Sequence, residues 1–317
     1  MISHTSRLLI AVSVLALGPP SPAVSQRLVI PLAELSDDDL ASIDLQDGYI
    51  DDWLRVVGDP TLTARDAYRT QGLSYWTDYD PSDLDCGIWL AWHDATNRIY
   101  VAFQRLDDRY ENGAAPSNGL CTGWCLGSHD SSIQLWVDGD LQSKGLTSYE
   151  WGKLPRLDLA RAAVREQQAY IGIAETHDSG PHLGLAWSYT DWMLHPPYGD
   201  SGGQRSGDNP IVTVLEFCFT AFDMLLLDDP EGSQATDLFP GKTIGLYLHF
   251  VDVDDGVPKW YSFGIPVSEF DLGPMSHGYL VGKPHVDQGF NRFPEATWAT
   301  VKHASAVDST AAGAPGD

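Results

Sequence analysis

The stretch RIYVAFQRLD, residues 98–107, alternates apolar and more polar side chains with a period of two. Successive side chains of a β-strand point to opposite sides, so Ile99, Val101 and Phe103 are predicted to share one face of a strand. The segment IQLWVD, residues 133–138, repeats the pattern. Both segments therefore predict strands with one face in a hydrophobic core.

Further apolar runs have the length of strands and are separated by turns rich in Gly, Asp, Asn and Pro. They are Ile88–His93, Ala169–Glu175, Val212–Thr220, Thr243–Asp252 and Trp260–Ile265. Only Leu157–Gln168 has a helical pattern, and it is short. Many strands with almost no helix predict an all-β fold, an antiparallel two-sheet β-sandwich with a minor helix.

The first 25 residues have the features of a secretory signal peptide. Arg7 precedes an apolar run, Leu8–Leu17, which is followed by helix-breaking Gly and Pro and then by small residues. This order predicts cleavage after Ser25 and export to a secreted or periplasmic location. The run is too short to span about 30 Å of hydrocarbon without cleavage, so membrane insertion is not expected.

The rest of the chain is interpreted as one domain with two irregular ends. Residues 26–46 form a polar, acidic lead-in, and residues 47–303 form the predicted sandwich, with a long Gly- and Pro-rich loop insert at 176–210. Residues 304–317 are rich in Ala, Ser and Gly, a composition typical of a disordered tail.

The composition excludes several kinds of partner. The formal net charge is −25, from 44 acidic and 19 basic residues, and such a surface repels nucleic acid and anionic lipid. Aromatic residues make up 11% of the chain, with eleven Trp, which is far above what a disordered chain contains. The protein should therefore have a core, with aromatic side chains left for another use.

The four cysteines allow two disulfides in an oxidising compartment, in any of three pairings. Cys121 and Cys125 are close enough in sequence to close a small loop around Trp124. Cys86 and Cys218 would then form a longer-range disulfide. A zinc site is the alternative, although one C-x3-C segment without a second ligand pair supports it only weakly.

Four segments, taken in order, resemble the family 9 carbohydrate-binding modules and their DOMON-like relatives. They are QDGYIDDW (46–53), GIWLAWHDATNRIYVAFQRLDD (87–108), HDSSIQLWVDGD (129–140) and GKTIGLYLHFVDVDD (241–255). The resemblance implies a two-sheet β-sandwich. It also implies non-catalytic binding of a saccharide or polysaccharide, often with structural calcium.

The same resemblance indicates candidate ligand-binding residues. Asp107 matches the family's acid at the end of the second strand, whereas Gln134 stands where the family has a carboxylate and Tyr170 stands near its basic residue. Trp124 is the substitute for a stacking Trp, and His129 lies just before the strand that carries Gln134. Sugar binding in water requires flat aromatic faces against C–H groups and planar polar groups on the hydroxyls.

The insert adds two candidates. Trp192 and Tyr198 lie on its Gly- and Pro-rich sequence, where loop residues commonly form the rim of a binding site. A plain surface excursion is the alternative.

Aspartates that follow two of the strands are candidate calcium ligands. Asp138 and Asp140 follow one strand, and Asp252 and Asp254 follow another. Their carboxylates are the hard oxygen ligands that calcium prefers, although neither pair has EF-hand spacing. Turn aspartates that only cap backbone groups would look the same.

Other classes of function compete with saccharide binding. The string GDSGG at 199–203 resembles the nucleophile loop of trypsin-like serine proteases, with Ser201 as nucleophile. No His–Cys motif of that family precedes it and no Cys flanks it, so the string is interpreted as coincidental and no enzyme is predicted. A structural or interaction domain is a further alternative.

Haem is the cofactor under the remaining alternative. Some DOMON-like sandwiches hold haem through Met and His. The available residues are Met193, His195, Met224, Met275 and His277. There is no C-x-x-C-H segment, so such a haem would be held without a covalent bond.

Overall fold

The computed structural model describes residues 29–69, 74–75, 79–111, 133–140, 167–173, 181–185, 191–226, 229–255, 257–263 and 276–281. The strands are β1 (Val29–Leu35), β2 (Leu62–Thr63), β3 (Tyr68–Arg69), β4 (Ser74–Tyr75), β5 (Leu84–His93), β6 (Arg98–Asp107), β7 (Ile133–Asp138), β8 (Gln167–Ile173), β9 (Pro181–Leu185), β10 (Gly199–Ser206), β11 (Ile211–Phe219), β12 (Phe222–Met224), β13 (Gln234–Ala235), β14 (Thr243–Asp254), β15 (Val257–Phe263) and β16 (Ser276–Val281). The helices are α1 (Asp37–Leu40) and α2 (Asp51–Val56), and 3-10 turns span Ala64–Asp66 and Asp191–Leu194. No helix within the described ranges has the length and hydropathy that crossing a bilayer requires.

Hydrogen bonding joins most of these strands into one continuous network. Its path runs β10-β11-β6-β5-β1-β16-β14-β15-β3-β4, with β2 on β5 and with β7, β8 and β9 added in turn from β14. The paired strands are antiparallel except at β1, which is parallel to both β5 and β16. β1 therefore links two antiparallel layers, one containing β5, β6 and β11 and the other containing β14, β7 and β15.

The two layers pack face to face around an apolar core. Phe103 of β6 and Phe250 of β14 are fully buried, and their ring centroids lie 6.0 Å apart. Phe250 also stacks on Tyr261 of β15 at 5.2 Å. Alternate residues of 99–103 and 133–137 belong to this core, which confirms the faces assigned to them. The fold is the predicted all-β sandwich.

The outer face of the first layer, which points away from the core, is covered by α2 and by the residues just before it. α2 begins with Asp51 and Asp52, whose charges complement the positive end of the helix dipole, and it carries the fully buried Trp53. A second apolar cluster forms there, and we call it the covered face. Its buried members are Leu35, Ile50, Trp53, Trp89, Ala91, Tyr100, Ala102, Leu106 and Cys218.

The structure corrects the interpretation of residues 26–46 as a polar lead-in. β1 lies inside this segment and is an interior strand of the hydrogen-bonded path. Ile30 and Leu32 are fully buried in the core. The sandwich therefore begins by Val29, and the acidic residues that make the segment look polar lie mostly after β1.

The 176–210 insert contains regular structure as well as loops. β9 and β10 lie within it, and β10 pairs with β11 along its length. The GDSGG string is the first part of β10, so its backbone is an extended strand. Of the predicted helix at 157–168, only Gln167 and Gln168 are described, and both lie in β8.

The predicted Cys86–Cys218 disulfide is wrong. Both thiols are free and buried, and they belong to different clusters, Cys86 to the core and Cys218 to the covered face. Cys86 lies opposite Arg105 of β6, and Cys218 lies opposite Tyr100 of the same strand. Arg105 and Tyr100 are an odd number of residues apart, so the two cysteines point to opposite sides of the layer.

Candidate functional site

The outer face of the second layer carries polar and aromatic side chains on two neighbouring strands. β7 and β14 run antiparallel, with Gln134 opposite His249 and Trp136 opposite Tyr247. Asp138 is the next residue on the same side of β7. We call these five residues the polar–aromatic face. The positions that alternate with them on both strands are apolar core residues, so the polar residues are confined to one side.

The rings of this face contact one another. Trp136 meets Tyr247 edge to face, with centroids 5.1 Å apart. Trp136 also stacks on His249, at 6.1 Å and an interplanar angle of 21°. Directly opposed and diagonal neighbours on adjacent strands are within reach of aromatic side chains. The three rings therefore form one aromatic group, and the Gln134 amide lies beside it.

The face is largely uncharged at neutral pH. Burial lowers the pKa of His249 to about 3, so its imidazole is neutral. Burial likewise raises the pKa of Tyr247 to about 12, against a hydrogen bond with Ser262 that lowers it. Asp138 is the one carboxyl group among the five residues, and it lies at the end of the row.

The described side chains of the face are mostly buried. The exposed fractions are 3% for Gln134, 7% for Trp136, 7% for Tyr247 and 8% for His249. Buried polar groups of this kind are costly unless they are hydrogen-bonded. The face therefore combines polar groups and aromatic rings on the side of the two strands away from the core.

β8 extends the same face by one strand. The register pairs Gln134 with Tyr170 and Trp136 with Gln168, and directly paired residues of adjacent strands lie on the same side of a sheet. Tyr170 and Gln134, both predicted from the sequence as ligand-binding residues, thus occupy neighbouring positions. Tyr170 is placed here by its backbone register alone.

Asp107 lies elsewhere, between the two layers. It accepts a hydrogen bond from Arg105 Nε at 2.8 Å, and Arg105 also forms an ion pair with Asp252 at 2.9 Å. All three side chains are buried. The carboxylate of Asp107 faces the interior and is ion-paired, and ligand binding by Asp107 stays a prediction.

The Asp252 and Asp254 carboxylates form an acidic group with Asp83, in which oxygen atoms of all three lie within 4.8 Å of one another. Lys259 enters this group, with its Nζ 3.4 Å from Asp252 and in contact with Asp254. Burial raises the pKa of Asp252 to about 6, against Arg105, which lowers it. Protein cations thus already neutralise part of this charge, and calcium at Asp252 and Asp254 stays a prediction.

The other predicted calcium pair lies at a distance from this group. Asp138 is buried and pairs with Gly245, near the start of β14, whereas Asp252 is near the end of the same strand. Asp140 is half-buried in the turn after β7. The two aspartate pairs therefore do not share one site, and calcium at Asp138 and Asp140 also stays a prediction.

Trp192 and Tyr198 pack against the core. Their ring centroids lie 4.6 Å apart, and Trp192 also contacts Phe222 at 5.7 Å. Of the proposed haem ligands near them, Met193 is buried in the core and His195 is exposed. The two rings serve packing in this structure, and the position of a binding rim at the insert stays a prediction.

The remaining predicted residues, Trp124, His129, Cys121 and Cys125, lie outside the described residues. Sequence reasoning missed Trp136, Tyr247 and His249 as site residues. The signal was present, because Trp136 shares a strand face with Gln134 and the alternation of β14 places Tyr247 and His249 on one side. What it lacked was the pairing of β7 with β14, which only the fold supplies.

The fold is a β-sandwich in which one layer carries a mostly buried polar and aromatic group on the side away from the core. Solved structures with some similarity in overall fold include a family 9 carbohydrate-binding module from Caldicellulosiruptor kristjanssonii in complex with glucose, with 10% identity and a TM-score of 0.45 over 83% of this chain and 100% of that one. The same module in complex with cellotriose gives 9% identity and the same TM-score and coverage. No family profile and no curated protein matches the sequence. Similarity this low does not identify a ligand, so function has to be derived from the residues of this chain.

Proposed function

We propose that this protein is an exported, non-catalytic binder of neutral saccharides and that the polar–aromatic face is its binding site. The observation that carries the proposal is the grouping of Gln134, Trp136, Tyr247 and His249 on one side of two paired strands. Indole and phenol rings offer apolar faces for sugar C–H groups, and the amide and imidazole offer paired donors and acceptors for hydroxyls. The signal-like N-terminus supports export.

The charge of the face and of the whole chain supports a neutral ligand. His249 is neutral and Gln134 carries no charge, so the face offers no fixed cation among its described residues. The formal net charge of −25 repels anionic glycans. The small exposed area of the rings leaves little surface for contact with a sugar, and we therefore expect weak binding.

Isothermal titration of the mature chain with neutral cello- and xylo-oligosaccharides tests the proposal. Gln134→Ala should weaken binding about tenfold, as expected for losing hydrogen bonds worth about 1.4 kcal/mol. Trp136→Ala should weaken it at least as much, because it also removes the central ring of the face. Polygalacturonate should not bind, and no new reducing ends should appear during incubation.

Tyr49→Ala is the matched control. Tyr49 is an exposed aromatic side chain, 52% accessible, on the loop at the covered face. Its removal should leave saccharide affinity unchanged. Circular dichroism should show that each variant is folded before its affinity is interpreted. If no neutral glycan in a broad array binds, or if Gln134→Ala and Trp136→Ala bind as the parent does, the proposal is wrong.

A further inference from the structure

A second group of carboxylates lies at the edge of the covered face. One oxygen each of Asp47, Asp52 and Glu216 lies within 4.8 Å of the other two. The three residues come from the loop before α2, the first turn of α2 and the outward side of β11. Asp52 and Glu216 are buried and Asp47 is exposed, so the group opens to solvent on one side.

Glu216 has a buried oxygen that no hydrogen bond satisfies. Its Oε1 accepts a hydrogen bond from Trp53 Nε1 at 2.8 Å, whereas its Oε2 is buried and has no hydrogen-bond partner. The residue is 0% exposed. A carboxylate in this position is costly unless a proton or a cation compensates it.

No protein cation takes that role among the described residues. The ion pairs of the described chain involve other carboxylates. Arg55 of α2 donates to the Ser42 carbonyl at 3.2 Å, and it lowers the pKa of Asp52 less than burial raises it. The charge of the three carboxylates is therefore not balanced by Lys, Arg or His within this part of the protein.

The chain around the group is held by hydrogen bonds that leave the carboxylates in place. Asp52 Oδ2 accepts from the Asp44 amide at 2.9 Å, and Asp47 Oδ1 accepts from the Tyr49 amide at 2.7 Å. Gly48 has a φ of +68°, a conformation that favours glycine. Its carbonyl accepts from Gln204 Nε2 of β10 at 3.0 Å. These contacts fix the loop against the sheet before any ligand arrives.

We propose that Asp47, Asp52 and Glu216 bind a divalent cation of the calcium class, which ties the loop and α2 to β11. Calcium takes oxygen ligands at about 2.3–2.6 Å, so oxygens on opposite sides of the ion are about 4.6–5.2 Å apart, a span that fits the spacing of these carboxylates. The cation would compensate Glu216 Oε2, and the exposed Asp47 gives it a path from solvent. Water would complete the coordination on the open side.

Terbium luminescence and thermal unfolding test this site on the mature chain. Terbium is a calcium analogue, and Trp53, hydrogen-bonded to Glu216, is placed to sensitise its emission. We expect bound terbium to be displaced by calcium and poorly by magnesium, and calcium to raise the melting temperature. Asp47→Asn should raise the apparent dissociation constant about tenfold or more, because affinity follows the number of charged ligands. Glu216→Gln should abolish both the luminescence and the thermal shift.

Asp254→Asn is the matched control, because it removes one carboxylate from the other acidic group and should leave the luminescence unchanged. Asp47 is exposed and its substitution by Asn keeps the oxygen that accepts from Tyr49, so this variant will fold even if Glu216→Gln does not. The proposal is overturned if calcium leaves the melting temperature unchanged. It is also overturned if the signal survives Asp47→Asn but is lost in Asp254→Asn.

Discussion

The two outer faces of the sandwich start from the same sequence pattern and end in different environments. On β5 and β6 the outward residues, such as Trp89 and Tyr100, are buried by an apolar cluster that includes α2. On β7 and β14 the outward residues include an amide, an imidazole and two aromatic rings in mutual contact. The first face is closed by its own chain and contributes to stability. The second concentrates polar and aromatic side chains, and it is the face for which we propose saccharide binding.

This difference predicts that substitutions on the two faces will have different effects. The face that α2 covers is lined by apolar residues, and Glu216, one of the three residues for which we propose a cation, lies at its edge. The other face holds Gln134 and His249, polar groups that the core positions of the same strands lack. We therefore expect substitutions on the covered face to lower stability, and substitutions on the polar–aromatic face to weaken saccharide binding.

Trp53→Ala should have the largest effect. Trp53 is fully buried in the covered face, and its indole N–H is the hydrogen-bond donor to Glu216. Truncating a buried Trp costs about 3–5 kcal/mol. Denaturant unfolding should show a loss in this range, whereas the variant, where folded, should bind saccharide as the parent does. A loss below about 1 kcal/mol would mean that α2 does not close this face in solution.

His249 should make the stability of the second layer depend on pH. Its folded-state pKa of about 3 lies below the ordinary value of 6.5, so the folded state resists protonation. The stability that it contributes is present above pH 6.5 and is lost as the pH falls toward 3, at up to about 1.4 kcal/mol per pH unit. The His249→Gln variant should not show this contribution of His249 to the dependence of stability on pH. Denaturation of both proteins between pH 7 and 4 measures the difference, and parallel curves would contradict it.

The buried thiols should behave as two independent residues. Cys86 and Cys218 lie on opposite sides of the first layer, and burial raises both pKa values, that of Cys218 to about 11. Neither thiol should react with a thiol reagent until the protein is unfolded. Cys218→Ser should cost about 1–3 kcal/mol for burying a hydroxyl, with or without reductant present. Mass spectrometry that finds a Cys86–Cys218 bridge in the purified protein would contradict this.

Period-two patterns predicted the all-β fold class. They assigned the faces of β6 and β7 because each strand has one side in the core, and a one-residue error would have moved every side chain to the wrong side. The sequence analysis missed β1. Glu34 and the aspartates after it dominate the composition of residues 26–46, although Ile30 and Leu32 alternate as core residues do. Composition is a weaker signal than alternation.

The candidate site could be predicted only in part. The pattern of β7 places Gln134 beside Trp136, but nothing in the sequence states that β14 is the neighbour of β7, so His249 and Tyr247 were missed. Asp107 was assigned by resemblance and not by pairing, and the fold places it inside, with Arg105. Cys86 and Cys218 were paired by elimination, a step that ignores which side of the strand each residue occupies.

The smallest effect should come from the loop that covers the first layer. Gln204→Ala removes the amide that donates to the Gly48 carbonyl, and a single hydrogen bond of this kind contributes about 1 kcal/mol. Tyr49→Ala in the same loop removes an exposed ring and should change stability by less than about 0.5 kcal/mol. Hydrogen exchange should show faster opening of α2 in Gln204→Ala and no change in β7 or β14. If exchange in β7 and β14 rises as well, the two outer faces are coupled, and the division between a face for stability and a face for binding is wrong.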